Sequence, residues 1–203
     1  MKNLPNILSI IRIIIVPIFL VFVLTSFCEF NLYIAFALFT IGAITDFLDG
    51  FIARKYNLVS TIGKFLDPIA DKILFLSGLI AMIFIQFTTQ VLPNSLIYVS
   101  IISFFVILAR DYIVDAIRQI ASSQGKVISA DKFGKLKTIV QDIALPLLLF
   151  YFAIVLNTGL EIVGFVYIFG IVAYALFILG VILTIISGVN YFIKNKNIFE
   201  VNK

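Results

Sequence analysis

The chain has 203 residues, 62% of them hydrophobic and only 13% charged, with a mean hydropathy of +1.16. A soluble domain is nearer 45–50% apolar and roughly 25% charged, so this composition excludes a water-soluble globule and points to an integral membrane protein. The absence of histidine and the single cysteine exclude Ser-His-Asp and Cys-His catalysis, histidine metal sites and an intrachain disulfide, and the net charge of +4 reads as membrane topology and anionic lipid contact rather than nucleic acid.

A spanning helix needs about 20 mainly apolar residues. The first is expected over Ile7–Phe27. Its apolar run exceeds a signal-peptide core and no small-residue cleavage site follows, so it is read as a helix of the mature protein. Asn6 and Arg12 lie at its polar end, where Asn6 can cap the helix. Cys28, just beyond it, reads as a small packing residue.

The second span is expected over Leu32–Ala53 and ends in AITDFLDGFIARKYN. At about 100° per residue, Gly42, Asp46, Asp49, Gly50 and Ala53 share one helix face. The third is expected over Asp67–Phe87. If that helix begins near Thr61, then Gly63, Asp67 and Asp71 also share a face, and Pro68 falls in about the first turn, where a missing N–H is tolerated. A short connection makes the two spans antiparallel neighbours, so their acidic faces can meet.

Each aspartate costs roughly 2.5–3.5 kcal/mol at mid-membrane, and four converging anions repel one another. Arg54 and Lys72 cannot neutralise all four, whereas divalent cations can. Oxygen-only ligands favour Mg²⁺, Mn²⁺ or Ca²⁺. Two such ions about 3.5–4 Å apart make a clamp for phosphoryl transfer. Gly50 and Ala53 leave room for a phosphate, and Arg54 stands one turn beyond Gly50, where it can pair with a diphosphate. Two other readings stand beside this one. Aspartates near a helix end can be solvated or act as caps. Intramembrane carboxylates also serve ion-coupled transporters, whose repeated halves and broken spans are not evident in this sequence.

The remaining spans are expected over Leu92–Ile120, Ile139–Leu156 and Val163–Ile193; the first and last of these exceed one bilayer thickness and should tilt or protrude. Between the fourth and fifth lies RQIASSQGKVISADKFGKLKT, the most polar stretch, expected to form an interfacial helix and loop. All fifteen Lys and Arg lie at the termini or around the second-to-third and fourth-to-fifth connections, while the other connections carry only Glu29 and Glu161. The positive-inside rule then places both termini and the acidic cluster on the cytoplasmic side of the cell membrane. The expected fold is an all-α integral membrane protein of six transmembrane helices forming one catalytic domain over residues 1–203.

The constellation Asp46-x2-Asp49-Gly50-x2-Ala53-Arg54-x8-Gly63-x3-Asp67-x3-Asp71 resembles the signature of the CDP-alcohol phosphotransferase family at every position. The size and the six spans match as well. The resemblance implies transfer of a phosphatidyl or related group from a CDP-linked lipid to an alcohol, with release of CMP, by a commonly homodimeric enzyme dependent on two Mg²⁺ (or Mn²⁺) ions. It makes Asp46, Asp49, Asp67 and Asp71 metal ligands and Asp71 also the base that takes the acceptor's hydroxyl proton. It makes Gly50, Arg54, Ser60 and Asn6 contacts to the CDP-lipid, expected to be CDP-diacylglycerol.

Acceptor choice lies outside the shared motif. NLPNILSIIRIIIVP (Asn3–Pro17), ARDYIVDAIRQ (Ala109–Gln119) and GKLKTIVQ (Gly134–Gln141) resemble the bacterial members that use glycerol 3-phosphate. An acceptor that carries a phosphate needs a cationic pocket, for which Arg110, Arg118, Lys135 and Lys137 are the candidates. Arg110 and Arg118 are two turns apart, hence on one helix face. Their alternative role, and that of the lysines, is as surface cations that set topology. Relatives more often carry Glu at position 111 and a Ser-Gly pair at 115–116; here Asp111, Asp115 and Ala116 stand there, and Asp115 is expected to orient Arg118 or Arg110. Inositol phosphate and phosphatidylglycerol remain alternative acceptors.

Overall fold

The computed structural model describes residues 4–25, 27–56, 61–126, 128, 132–159 and 164–196, and among these every side chain except those at 4, 5, 47, 49–56, 61 and 64. Six helices follow one another: α1 (Leu4–Leu24), α2 (Asn31–Tyr56), α3 (Thr61–Thr89), α4 (Asn94–Ser123), α5 (Lys132–Thr158) and α6 (Gly164–Lys194). No strand occurs among the described residues. Among the described residues, five helices are long and apolar enough to cross a membrane: α1 over Asn6–Leu24, α3 over Phe65–Thr89, and α4, α5 and α6 over their whole lengths. Among the described residues α2 has a shorter apolar stretch, Asn31–Asp46. The protein is a multi-pass membrane protein.

The polar stretch between the fourth and fifth expected spans does not form a separate interfacial helix among the described residues. It is divided between the ends of two long helices. Helix α4 runs on to Ser123 and stops where Gly125 takes φ +72°, a left-handed geometry that glycine adopts without strain, with the Lys126 N–H donating to the Ala121 carbonyl at 2.9 Å. Helix α5 begins at Lys132, seven residues before the expected Ile139. Its first turns, KFGKLKT, are too polar for a hydropathy criterion yet rich in helix formers. Gly134, Lys135 and Lys137 are therefore helical. Helix α3 does begin at Thr61, but Pro68 falls in its second turn rather than its first, so the Lys64 carbonyl loses an intrahelical donor. Asn6 is the third residue of α1 and cannot be its cap. Cys28 is exposed rather than packed; its thiol donates to Asn31 Oδ1 at 3.1 Å.

Helix α1 packs on α2 and α3, α5 on α6 and α2, and α4 on α6 and α3. The core runs through Phe19 (α1), Phe39 (α2), Leu79 and Met82 (α3), Ile107 (α4), Leu148 and Phe152 (α5) and Phe177 (α6), all almost completely buried. Phe19 and Phe39 meet with ring centroids 5.4 Å apart. A side chain at Gly78 would put its Cβ 2.5 Å from Phe39, so glycine there is what lets α3 close on α2. The opposite faces are apolar too: Ile10, Ile14, Ile18 and Val21 on α1, or Ile182, Ile185 and Val189 on α6, are exposed from the fold as a lipid-facing surface is. Polar side chains within the bundle pair with one another, as Gln141 Nε2 does with Thr184 Oγ1 at 2.9 Å and Ser100 Oγ with Gln86 Oε1 at 2.9 Å.

One end of the bundle gathers the start of α1, the end of α2, the start of α3, the end of α4, the start of α5 and the end of α6. The contacts Ser9–Asp67, Arg12–Asp46, Lys72–Asp115, Lys137–Asp111 and Arg118–Tyr191 join these elements pairwise. That end carries the charged constellation.

Candidate active site

Helix α1 buries a stripe at helical spacing: Ser9, Arg12, Val16, Phe19, Val23. The stripe turns from apolar to polar over its first two turns, and those polar residues meet the acids. Arg12 Nη1 lies 2.7 Å from Asp46 Oδ1, with the arginine side chain wholly buried and the carboxylate 37% exposed. Ser9 Oγ donates to Asp67 Oδ1 at 2.5 Å. Thus α1 supplies one cation and one hydroxyl to the two acid-bearing helices. Divalent cations were the expected neutralisers, with Arg54 and Lys72 insufficient for all four acids; Arg12 is the cation found on Asp46, while Lys72 is drawn away to Asp115 of α4 and lies 5.8 Å from the Tyr112 ring. Asp115 therefore orients Lys72, not Arg118 or Arg110.

Asp67 and Asp71, one turn apart on α3, are half-buried. Asp46 lies within electrostatic range of both. Asp46 and Asp71 line one small cavity with Phe39, Ala43, Leu74, Phe75 and Asp142 of α5. Asp71 and Asp142 also line a second, with Lys72, Asp111, Lys137 and Gln141 among its walls. Asp71 thus stands between the cavity it shares with Asp46 and a mixed-charge one that Lys72 and Lys137 enter.

Beside the second cavity, Asp111 Oδ1 accepts from Lys137 Nζ at 2.6 Å and from Arg110 Nη1 at 3.0 Å, so one carboxylate oxygen gathers cations from α5 and α4. Arg110 Nη2 donates to Ser187 Oγ of α6 at 2.6 Å. Arg118 Nε donates to Tyr191 Oη at 3.3 Å, its guanidinium 5.6 Å from that ring's centroid. Both arginines face α6, as their spacing implies, but Arg118 remains exposed. Lys137 is buried; Lys135, two residues earlier on another face of α5, is exposed.

Among the expected site residues the structure brings Asp46, Asp67 and Asp71 together, and Arg110 with Lys137. It leaves Lys135 and Arg118 at the surface. Asn6 is half-buried on α1. The side chains of Asp49, Gly50 and Arg54, and Ser60 altogether, lie outside the described residues. Sequence reasoning did not assign Ser9, Arg12, Asp111, Asp142 or Ser187. Arg12 and Asp142 carried a usable signal, each being an ionisable residue within an apolar run.

The donor set fits a hard divalent cation in kind, since its acids offer carboxylate oxygen alone. No three acidic side chains among the described residues are close enough to ligate one ion as they stand. Two of these carboxylates are engaged by Arg12 and Ser9.

The profile of the CDP-alcohol phosphatidyltransferases matches residues 2–186 of this chain. The chain belongs to the CDP-alcohol phosphatidyltransferase family. Among its relatives, the CDP-diacylglycerol–glycerol-3-phosphate 3-phosphatidyltransferase of Bacillus subtilis is 36% identical over 96% of this chain and 96% of its own length. A protein of the same name from Rickettsia typhi is 36% identical over 98% of this chain and 100% of its own. One from Haemophilus influenzae is 30% identical over 93% and 91%. As a CDP-alcohol phosphatidyltransferase, the chain has its matched segment spanning every residue of the acidic and cationic clusters except Ser187 and Tyr191. Membership in this family sets aside the ion-coupled transporter.

Proposed function

We propose that this protein transfers the phosphatidyl group of CDP-diacylglycerol to glycerol 3-phosphate, giving phosphatidylglycerophosphate and CMP for phospholipid synthesis. The observation that carries the reading is that Asp71 lines two adjoining cavities, one with Asp46 and one that Lys137 enters, with Arg110 close by through the Asp111 they share. The relatives named for this reaction support the choice of acceptor.

Asp46, Asp67 and Asp71, together with Asp49, would hold two Mg²⁺ or Mn²⁺ ions, which when bound neutralise the diphosphate of the lipid donor. Arg12 and Ser9 keep two of those carboxylates oriented before substrate arrives. Asp71 takes the proton from the 1-hydroxyl of glycerol 3-phosphate as that oxygen attacks the phosphorus attached to diacylglycerol. The bond to the bridging oxygen breaks and CMP leaves. Lys137 and Arg110 bind the acceptor's own phosphate, with which Asp111 would share them. Gly50, Arg54, Ser60 and Asn6 belong to the donor side in this reading, and Arg118 and Lys135 to an outer rim that attracts the anionic acceptor. The site opens to the cytoplasm, with both termini on that side, and six helices, α2 included, cross the membrane as a homodimer.

The test is transfer of radiolabel from candidate acceptors to lipid by the purified protein with CDP-diacylglycerol and Mg²⁺. Label from glycerol 3-phosphate, and not from inositol phosphate or phosphatidylglycerol, is expected. Preferential transfer to either of those overturns the acceptor assignment, and CMP release with no acceptor dependence overturns the reaction.

A further inference from the structure

We propose that Ser187 and Gly188 of α6 are positioning residues that seat Arg110 as an arm of the acceptor-phosphate pocket, an inference that rests on the glycerol 3-phosphate reading above. Ser187 is completely buried, and its Oγ accepts from Arg110 Nη2 at 2.6 Å. Beside it, a Cβ on Gly188 would stand 2.9 Å from Arg110 Cγ, so the arginine stem occupies the space that the missing side chain leaves. From the other side, a Cβ on Gly134 of α5 would lie 3.4 Å from Ser187 Oγ and 3.5 Å from Arg110 Nη2. Three helices therefore meet at one guanidinium.

The remaining nitrogens show what the seat is for. Arg110 Nη1 reaches Asp111 Oδ1, the oxygen that also holds Lys137, and Lys137 lines the cavity of Asp71. Arg110 Nε is buried with no hydrogen-bond partner among the described residues, so the guanidinium keeps donor capacity beyond its protein contacts. An arginine has considerable rotamer freedom, and a functional arginine must be held by packing and second contacts to act on a phosphate in one geometry. Arg110 also borders the apolar groove between α4 and α6, with Ala109, Ile113, Ile185 and Val189, so without the serine hydroxyl the guanidinium would be free to turn further into that groove and away from Asp111 and Lys137.

The full-length protein, assayed in mixed micelles with Mg²⁺, tests this by steady-state kinetics in each substrate. Ser187→Ala is expected to raise the KM for glycerol 3-phosphate roughly tenfold, the loss of one hydrogen bond to a charged group, and to leave the KM for CDP-diacylglycerol unchanged. Ser187→Thr, which keeps the hydroxyl, is expected to restore the acceptor KM. In an Arg110→Ala background, Ser187→Ala should add nothing. Gly188→Ala, which crowds the stem without removing the hydroxyl, should raise the same KM, and it supplies the answer if Ser187→Ala fails to fold. An unchanged acceptor KM in the serine and glycine variants, with Arg110→Ala raising it, overturns the positioning role alone. So does an equal serine effect in both backgrounds. An acceptor KM that Arg110→Ala leaves unchanged removes Arg110 from the pocket, and both readings fall.

Discussion

Arg12 Nη1 of α1 lies 2.7 Å from Asp46 Oδ1 of α2, the arginine wholly buried and the aspartate 37% exposed. The asymmetry matters. The cation is fixed inside the bundle, while the carboxylate keeps open surface for a ligand. Removing one partner of a buried pair costs about 3–5 kcal/mol, and an exposed pair is worth at most about 1, so a pair open on one side falls between.

Arg12→Leu should therefore lower the melting midpoint in chelator, and millimolar Mg²⁺ should recover more of the loss than it adds to wild type, because either cation can neutralise Asp46. Thermal unfolding with and without Mg²⁺ measures this. An equal Mg²⁺ shift in both proteins means that Asp46 does not receive the ion.

Asp71 lines both the cavity of Asp46 and the cavity of Lys137. Asp71→Asn keeps its size and should leave the fold intact while kcat falls by about 10²–10⁴, the usual worth of a general base. CMP release by protein of unchanged melting behaviour checks it; near wild-type turnover removes Asp71 from the chemistry.

The two lysines of α5 should behave differently. Lys137 is buried against Asp111, and Lys135 is exposed. Lys137→Met should raise the KM for glycerol 3-phosphate about tenfold or more, and Lys135→Met should change it by no more than about twofold, as charge-assisted contacts and rim charges respectively do. Varying acceptor concentration at saturating lipid distinguishes them.

Asp142 of α5 lines both cavities and lies within electrostatic range of Asp46 and Asp71. Removing its charge should weaken attraction for a divalent ion. Asp142→Asn is expected to raise the Mg²⁺ concentration for half-maximal turnover about three- to tenfold. An unchanged Mg²⁺ titration places Asp142 outside the electrostatics of the site.

The helical register of the acids was legible in the sequence because it depends only on backbone periodicity. Once α3 begins at Thr61, Asp67 and Asp71 must share a face, and Asp46 on the preceding helix lies opposite. The counter-ion was not legible: Arg12 is distant along the chain, and its pairing follows from α1 packing between α2 and α3, a tertiary fact. The distinction between Lys135 and Lys137 failed for a local reason. Both fell in a stretch expected to form an interfacial helix and loop, and the early start of α5 is what sets which face each takes. Asp115 looked like a partner for the arginines of its own helix, but α3 packs on α4 and presents Lys72 first. Ser187 could not be read at all, since a serine in an apolar helix carries no signal until an arginine is found on it.

The central claim is that carboxylates from α2 and α3 jointly bind divalent metal, and Mn²⁺ binding followed by electron paramagnetic resonance on the purified protein tests it most directly. The account predicts tightly bound Mn²⁺ in wild type, two ions per chain and magnetically coupled once CDP-diacylglycerol is present, with binding lost in both Asp46→Asn and Asp71→Asn. Undiminished Mn²⁺ binding in those two variants, or none in active wild-type protein, contradicts it.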